Sequence, residues 1–374
     1  MRIRLLAQLL LLFSVSLWAC GPAPAAPHAD DQGLNSVVLI VLDGVRPAEF
    51  FRGISPFAKN RRASQSSKKL MPYLRGELSQ PGYLQSGQTL LFGNRFAKGA
   101  PACRLDNNYG VSLPAYGHLL SGKRLPGIRD NRFTGPLPGP SVPDRLVARG
   151  IAGEAIAVYA SWGPIARVAT ERSPREDAQI EINTGHQPGN ARPRWKDARF
   201  DRDLQRALLQ RLDPTRAGAQ PAPRYLFAAF NDSDEWAHIG SYRRYIAAIR
   251  AQDGYIRSIV RAREAVATPA NRGRTLYIVT TDHGRGRGRW WKSHGRVPGS
   301  QYIWALLHVP SVELPVPPQT GKPATPGQTR QMLRPEVRAD LEHVRRTLEA
   351  RCNHSQLGRV AYQAVSGDRT AEFD

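Results

Sequence analysis

The chain has 374 residues, of which 41% are hydrophobic, with 33 Gly, 30 Pro and three Cys. That composition excludes wholesale disorder, a collagen-like repeat and a miniature fold built on disulfides, while the length allows one large decorated domain or two modest ones. Lys and Arg number 53 against 31 Asp and Glu, a net charge of +22, but the excess is Arg scattered along the whole chain. It reads as a compositional habit rather than the clustered face of a nucleic-acid binder, so no specific nucleic-acid partner is expected.

Arg2 and Arg4 precede an apolar run over residues 5–18, followed by Ala19 and Cys20. This charged, apolar, small-residue order is that of a secretory signal peptide over residues 1–19, and the run is short for a bilayer span. Leu17-Trp18-Ala19-Cys20 resembles the bacterial lipobox, which implies lipidation of Cys20 and attachment of the mature protein to a membrane; a plain secretory signal is the simpler alternative. Either reading takes the protein out of the cytoplasm, to the cell envelope or periplasm. Cys103 and Cys352 are then the remaining thiols, and an oxidising compartment permits them to pair. Residues 20–35, rich in Pro, Ala, Asp and Gly without periodicity, are expected to form a flexible tether.

A continuous apolar, β-branched run over residues 36–42 stops at Asp43-Gly44, the pattern of a strand buried on both faces of a parallel sheet. Three more strands are expected over residues 153–160, 224–230 and 275–281. Between them, residues 142–149, 201–212 and 241–264 repeat apolar side chains at three- and four-residue spacing, as amphipathic helices do. The alternation predicts an α/β fold: a mostly parallel central sheet with helices on both faces. Residues 310–334, rich in Pro, Gly, Thr and Gln, are expected to be a surface excursion before a last charged helix over 334–351. There is no internal repeat and no clean linker, so residues 36–374 are taken as a single domain.

Ligands of open α/β sheets sit beyond the carboxyl ends of the strands, and here three strands end in polar groups suited to metals. Asp43 closes the first. The third runs into Asn231-Asp232-Ser233-Asp234-Glu235-Trp236-Ala237-His238, and the fourth into Asp282-His283-Gly284, with His294-Gly295 eleven residues after His283. Taken singly these have bland readings: Asp43-Gly44 as a turn, Asp234 as a helix-capping carboxylate with Asp232 as its competitor. Two adjacent ligand types directly after a buried strand serve no packing purpose, and three such ends in order point to a mixed His and carboxylate site of the kind Zn²⁺ favours. His28, His118, His186, His308, His343 and His354 lack such partners and are read as surface or satisfied core residues.

These motifs resemble those of the alkaline phosphatase superfamily, and within it the type I phosphodiesterase and nucleotide pyrophosphatase-like branch. The resemblance spans most of residues 36–305. It rests on Val41-Leu42-Asp43-Gly44-Val45-Arg46-Pro47, on Gly110-Val111-Ser112-Leu113-Pro114-Ala115-Tyr116-Gly117-His118 through Ser121-Gly122, on Asp234-Glu235-Trp236-Ala237-His238, on Thr280-Thr281-Asp282-His283-Gly284 and on His294-Gly295. It implies two divalent metal ions, most readily Zn²⁺: one held by Asp43, Ser112, Asp282 and His283, the other by Asp234, His238 and His294. It further implies that Ser112 is the nucleophile, and that Asn131, in Gly127-Ile128-Arg129-Asp130-Asn131, holds a phosphoryl oxygen; an ordinary turn is the alternative for Asn131.

The implied chemistry is hydrolysis of a small anionic phosphate ester, mono- or diester. Metal coordination lowers the pKa of a Ser hydroxyl, and two cations about 4 Å apart stabilise the attacking and leaving oxygens of an in-line displacement. Tyr116 stands where the superfamily's sulfatases carry Arg, which argues against sulfate-ester chemistry. Only ten residues separate His283 from His294, where nucleotide pyrophosphatases carry a long insertion. That short segment holds Arg285, Arg287, Arg289, Trp290, Trp291 and Lys292, either an anion-binding wall with aromatic edges or a solvated loop. Phosphonate hydrolysis, phosphoryl transfer within one molecule and a non-enzymatic envelope binding protein are the rival readings.

Overall fold

In the run Ser36-Val37-Val38-Leu39-Ile40-Val41-Leu42 every residue is buried. A strand with no solvated face belongs at the centre of a covered sheet, and it lies there. The structure is a computed structural model that describes residues 33–54, 64–171, 180–185, 197–315 and 329–373. The signal sequence, Cys20, His28, His186 and residues 20–32 of the expected tether lie outside the described residues. Residues 33–35 are not tether: Leu34 is buried and its N–H donates to Asp340 Oδ2 at 2.7 Å.

Among the described residues the strands are β1 (Ser36–Leu42), β2 (Thr89–Phe92), β3 (Cys103–Arg104), β4 (Ile156–Ala160), β5 (Glu181–Thr184), β6 (Tyr225–Phe230), β7 (Thr275–Thr280), β8 (Tyr302–Ile303), β9 (Ala305–His308), β10 (Val312–Pro315) and β11 (Thr329–Met332). The helices are α1 (Pro47–Arg52), α2 (Ser67–Leu70), α3 (Pro81–Gln85), α4 (Ser112–Ser121), α5 (Val142–Ala148), α6 (Asp201–Arg211), α7 (Asp232–His238), α8 (Tyr242–Ala265), α9 (Pro335–Ala350) and α10 (His354–Ser366).

The main sheet runs β2-β9-β7-β1-β6-β4-β5. β7, β1, β6, β4 and β5 pair in parallel, while β9 and β2 close one edge antiparallel. Side chains alternate along β1: Val37, Leu39 and Val41 pack with α4, α5, α9 and α10 on one face, and Val38, Ile40 and Leu42 pack with α6 and α8 on the other. Each such fully buried aliphatic side chain contributes about 1.5–3 kcal/mol. This is the α/β architecture read from the sequence. One further expectation needs correction. The strand expected from residue 153 begins at Ile156, because Gly153–Ala155 form a 3₁₀ turn. The excursion over 310–334 is anchored by an antiparallel ladder, Val312 opposite Met332 through Pro315 opposite Thr329.

No helix among the described residues is long and apolar enough to cross a membrane. Cys103 on β3 is disulfide-bonded to Cys352, just before α10, at a sequence separation of 249.

Candidate metal centre

Parallel strands point the same way, so the residues that follow β1, β6 and β7 meet at one end of the sheet. Asp43 follows β1, Asp234 and His238 lie on α7 just beyond β6, and Asp282-His283 follow β7. α4 brings Ser112 at its first residue.

The centre of the cluster is the fully buried His283. Its Nε2 lies 3.3 Å from Asp282 Oδ2, 3.6 Å from Asp43 Oδ1, 3.9 Å from Asp234 Oδ1 and 3.3 Å from Ser112 Oγ. Its Nδ1 sits 3.0 Å from the Gly284 carbonyl. A carbonyl can only accept, so Nδ1 carries the proton and Nε2 presents a lone pair to the carboxylates. His294 is fixed likewise, with Nδ1 2.8 Å from the Gly110 carbonyl, Nε2 2.9 Å from His238 Nε2, and its ring stacked on His283 at 4.0 Å. His238 Nε2 is 3.0 Å from Asp234 Oδ2. One group of donors is therefore Asp43, Asp282 and His283, and a second is Asp234, His283 and His294, each with ligand atoms within 4.8 Å of one another; His238 extends the second.

Two glycines make this approach possible. Gly44, at φ +67°, donates its N–H to Asp282 Oδ1 at 2.9 Å, and a Cβ there would lie 2.7 Å from both Asp234 Oδ1 and Arg285 Nε. Gly110, at φ +60°, packs so closely on Gly295 that a Cβ would meet its carbonyl oxygen at 2.4 Å. That contact carries His294 to the cluster.

The electrostatics are those of a cation site. Burial, and then the neighbouring Asp282, push the Asp43 carboxyl well above its ordinary range, and burial raises Asp282 as well. Burial drives His283 down to about 3 and His294 to about 2, and lowers His238. The imidazoles are thus neutral, the form that binds metals. Asp43 Oδ1 and Asp282 Oδ2 are buried without a hydrogen-bond partner, which a buried carboxylate oxygen rarely tolerates. A divalent cation would satisfy both, so the donor set fits one.

The two aspartates at the start of α7 are turned different ways. The backbone N–H of Asp232 donates to Asp201 Oδ2 at 2.9 Å and its Oδ1 accepts from the Asp201 N–H at 3.3 Å, so Asp232 faces away and Asp234 faces the cluster. Asn131 Oδ1 accepts the Leu113 N–H at 2.9 Å. It therefore ties down the first turn of α4 next to Ser112, leaving its NH₂ end as the donor. Of the remaining histidines, His354 is buried with Nε2 2.9 Å from the Thr281 carbonyl, and His308 is buried with Nδ1 2.9 Å from Thr89 Oγ1.

Three residues serve the site in roles that the sequence reading did not assign to them. The Tyr116 hydroxyl donates to Asp43 Oδ2. Buried Arg285 binds both the side chain and the carbonyl of Asp234, its guanidinium lowered by burial to about 9. Buried Asp201 accepts from Ser161, Gln252 and the N–H groups of Asn231 and Asp232, anchoring the start of α7. The 285–292 segment divides: Arg285 and Arg287 line a cavity, whereas Trp291 packs on Tyr242 and Tyr245 at 5.0 and 5.6 Å, so no aromatic wall forms from it.

No protein-family model matches the chain, and no curated protein matches it. Among solved structures it is similar to the C-terminal periplasmic domain of EcEptC from Escherichia coli in complex with Zn, at 14% identity and TM-score 0.45 over 75% of this chain and 74% of that one. It is similar to the soluble domain of lipooligosaccharide phosphoethanolamine transferase A from Neisseria meningitidis, at 11% identity and TM-score 0.47 over 89% and 88%. It is also similar to a protein in the alkaline phosphatase superfamily from Vibrio parahaemolyticus, at 12% identity and TM-score 0.42 over 87% and 69%. At these values the likeness is a distant one of chain path, and the chemistry of the centre rests on its own side chains.

Proposed function

We propose that the protein is a metal-dependent hydrolase of phosphate esters, of the alkaline phosphatase superfamily, exported to the cell envelope and anchored there through Cys20. The observation that carries the reading is the convergence of Asp43, Asp234, Asp282 and His294 on His283, whose Nε2 lies 3.3 Å from Ser112 Oγ, with His238 against Asp234 and His294 and two buried carboxylate oxygens left unpartnered. Asp43, Ser112, Asp282 and His283 would hold one divalent ion and Asp234, His238 and His294 a second. Such ions supply Lewis acidity, which lowers the pKa of a hydroxyl and stabilises charge on phosphoryl oxygens.

Each residue then has a defined task. Ser112 Oγ forms a bond to phosphorus as the bond from phosphorus to the leaving oxygen breaks, and that oxygen departs with the electron pair. In the second half a water oxygen forms a bond to phosphorus as the P–Oγ bond breaks; the phosphate leaves, and a proton from that water restores the Ser112 hydroxyl. Asn131 donates to a non-bridging oxygen through the NH₂ end left free by its bond to Leu113. Tyr116 holds Asp43 in orientation. The Cys103–Cys352 disulfide supports export to an oxidising compartment.

The test is metal analysis of the purified protein followed by turnover of aryl phosphate mono- and diesters by wild type, Ser112→Ala and Ser121→Ala. The Ser112 variant should fold normally and lose at least about 10²-fold in rate. Ser121, whose hydroxyl donates to the Lys123 carbonyl at 3.0 Å, should retain activity. Unchanged turnover by Ser112→Ala removes the nucleophile, and a metal-free wild type that binds phosphate esters without cleaving them leaves a binding protein.

A further inference from the structure

Beside the centre lies a cavity of about 490 Å³ lined by Arg46, Arg52, Arg95, Arg285 and Arg287 together with Phe96. The arginines come from three stretches distant in sequence: the segment from the end of β1 through α1, the β2–β3 connection and the loop after β7. The cavity shares Arg285 with the cluster, since the same guanidinium binds Asp234. No carboxylate is among the described residues that line it.

Two of these charges are already compensated, Arg46 by buried Glu49 and Arg285 by Asp234. The other three have no acidic partner among the described residues. Two of them are held by aromatic faces instead, the Arg52 guanidinium 3.9 Å from the Phe96 ring centre and that of Arg95 3.9 Å from the Tyr302 ring centre. A guanidinium seated on a ring keeps its N–H edge available, and that edge matches the oxygens of phosphate or carboxylate in pairs. Like charges gathered in one cleft repel one another and focus a positive field, which an anionic ligand relieves.

We propose that this cavity receives a second anionic group of the substrate, so that the reacting ester belongs to a molecule bearing at least two acidic groups, phosphate or carboxylate. Which end reacts rests on the phosphoesterase reading; the cavity's own ligand does not.

The experiment measures binding to the metal-loaded full mature chain by calorimetry, using alkylphosphonates and the α,ω-alkanediphosphonates of the same chain length, from two to six carbons. Their C–P bonds are not hydrolysed, so affinity is read without turnover. For at least one length the diphosphonate should bind about 10-fold tighter than the monophosphonate, as one charge-assisted Arg contact supplies. In Arg52→Ala/Arg95→Ala/Arg287→Ala that ratio should fall toward one. Arg289→Ala, which removes an equal charge from the same loop without lining the cavity, should keep the wild-type ratio. Arg287→Glu, a single change at an exposed position, should lower the ratio and covers the case in which the triple variant misfolds. A ratio near one at every length in wild type, or a ratio undiminished in the variants, overturns the proposal. A chain that cleaves aryl phosphates but shows no ratio keeps its chemistry and loses this cavity; one that shows the ratio without Ser112-dependent cleavage keeps the cavity and loses the chemistry.

Discussion

The hydroxyl of Tyr116 lies 3.0 Å from Asp43 Oδ2 and donates to it inside a fully buried pocket. Burial, and next the Asp43 charge, hold the phenol well above its ordinary pKa, so Tyr116 keeps the proton it donates. It fixes one carboxylate oxygen and leaves Oδ1, the unpartnered one, turned toward His283. Tyr116→Phe keeps the ring against Phe227, at 6.2 Å, and removes only this bond. Zinc affinity, measured against a competing chelator, should fall about 10-fold or more, as loss of a ligand-orienting hydrogen bond does. Unaltered affinity would show that Asp43 needs no such support.

His238→Ala and His294→Ala should each remove about one metal equivalent per chain and most of the activity, because a site with three protein ligands has none to spare. Elemental analysis after gel filtration reads this directly. A full complement in both variants would place the second ion elsewhere.

Stability should carry an acid limb from His308, which lies outside the centre. Burial lowers its pKa to about 4 from an ordinary 6.5. The unfolded imidazole binds a proton first as pH falls, so the native state loses up to about 1.4 kcal/mol per pH unit between those values, and the contribution is complete above 6.5. In His308→Gln, which can keep a bond to Thr89, denaturant unfolding should show a shallower loss between pH 6.5 and 4 than wild type. Equal slopes would mean that His308 is protonated in the fold.

Cys103→Ser/Cys352→Ser should lower stability by about 2–5 kcal/mol, since the bridge closes a long loop in the unfolded chain. It should also weaken metal binding. Cys103 precedes the loop that carries Gly110 and Ser112, and Cys352 sits two residues before His354, whose Nε2 holds the Thr281 carbonyl next to Asp282. Loss of stability with unchanged metal affinity would separate the staple from the centre.

The strands that carry the ligands were legible because burial on both faces forces an unbroken apolar run, and the polar residue that ends it then stands out. Asp43, Asp282 and His283 fall in that class. The strands β2, β5 and β9 were not legible: each has only four residues, too few to show a period, and the two edge strands β2 and β5 are partly exposed as well. Helix α4 was hidden because it is buried all round from Ser112 to Ser121, leaving no polar face to set a periodicity. Tyr116 was read for what it is not, an Arg, since a phenol in an apolar helix gives no sign of its partner. Asp201 looked like the start of a helix, which it is; its second service to α7 depends on a contact between segments 30 residues apart. The arginine cavity gathers residues from three stretches distant in sequence, and a composition rich in scattered Arg concealed which of them meet.

The position of β1 has a consequence for how the chain acquires its shape. The first of the described strands is the middle of the sheet, and its neighbours are β6 on one side and β7 on the other, with Ser36 opposite Thr275, 239 positions later. Such long-range pairing is slow to close. Until residue 225 has emerged, a seven-residue apolar run without charge or Pro lacks both of its sheet neighbours, and until residue 275 it keeps one edge open, the kind of segment that self-associates. Nascent chains therefore need holding in an open state, and truncation before β7 removes not a tail but one of the two partners of the central strand, so that fragments ending there should aggregate rather than form a smaller domain.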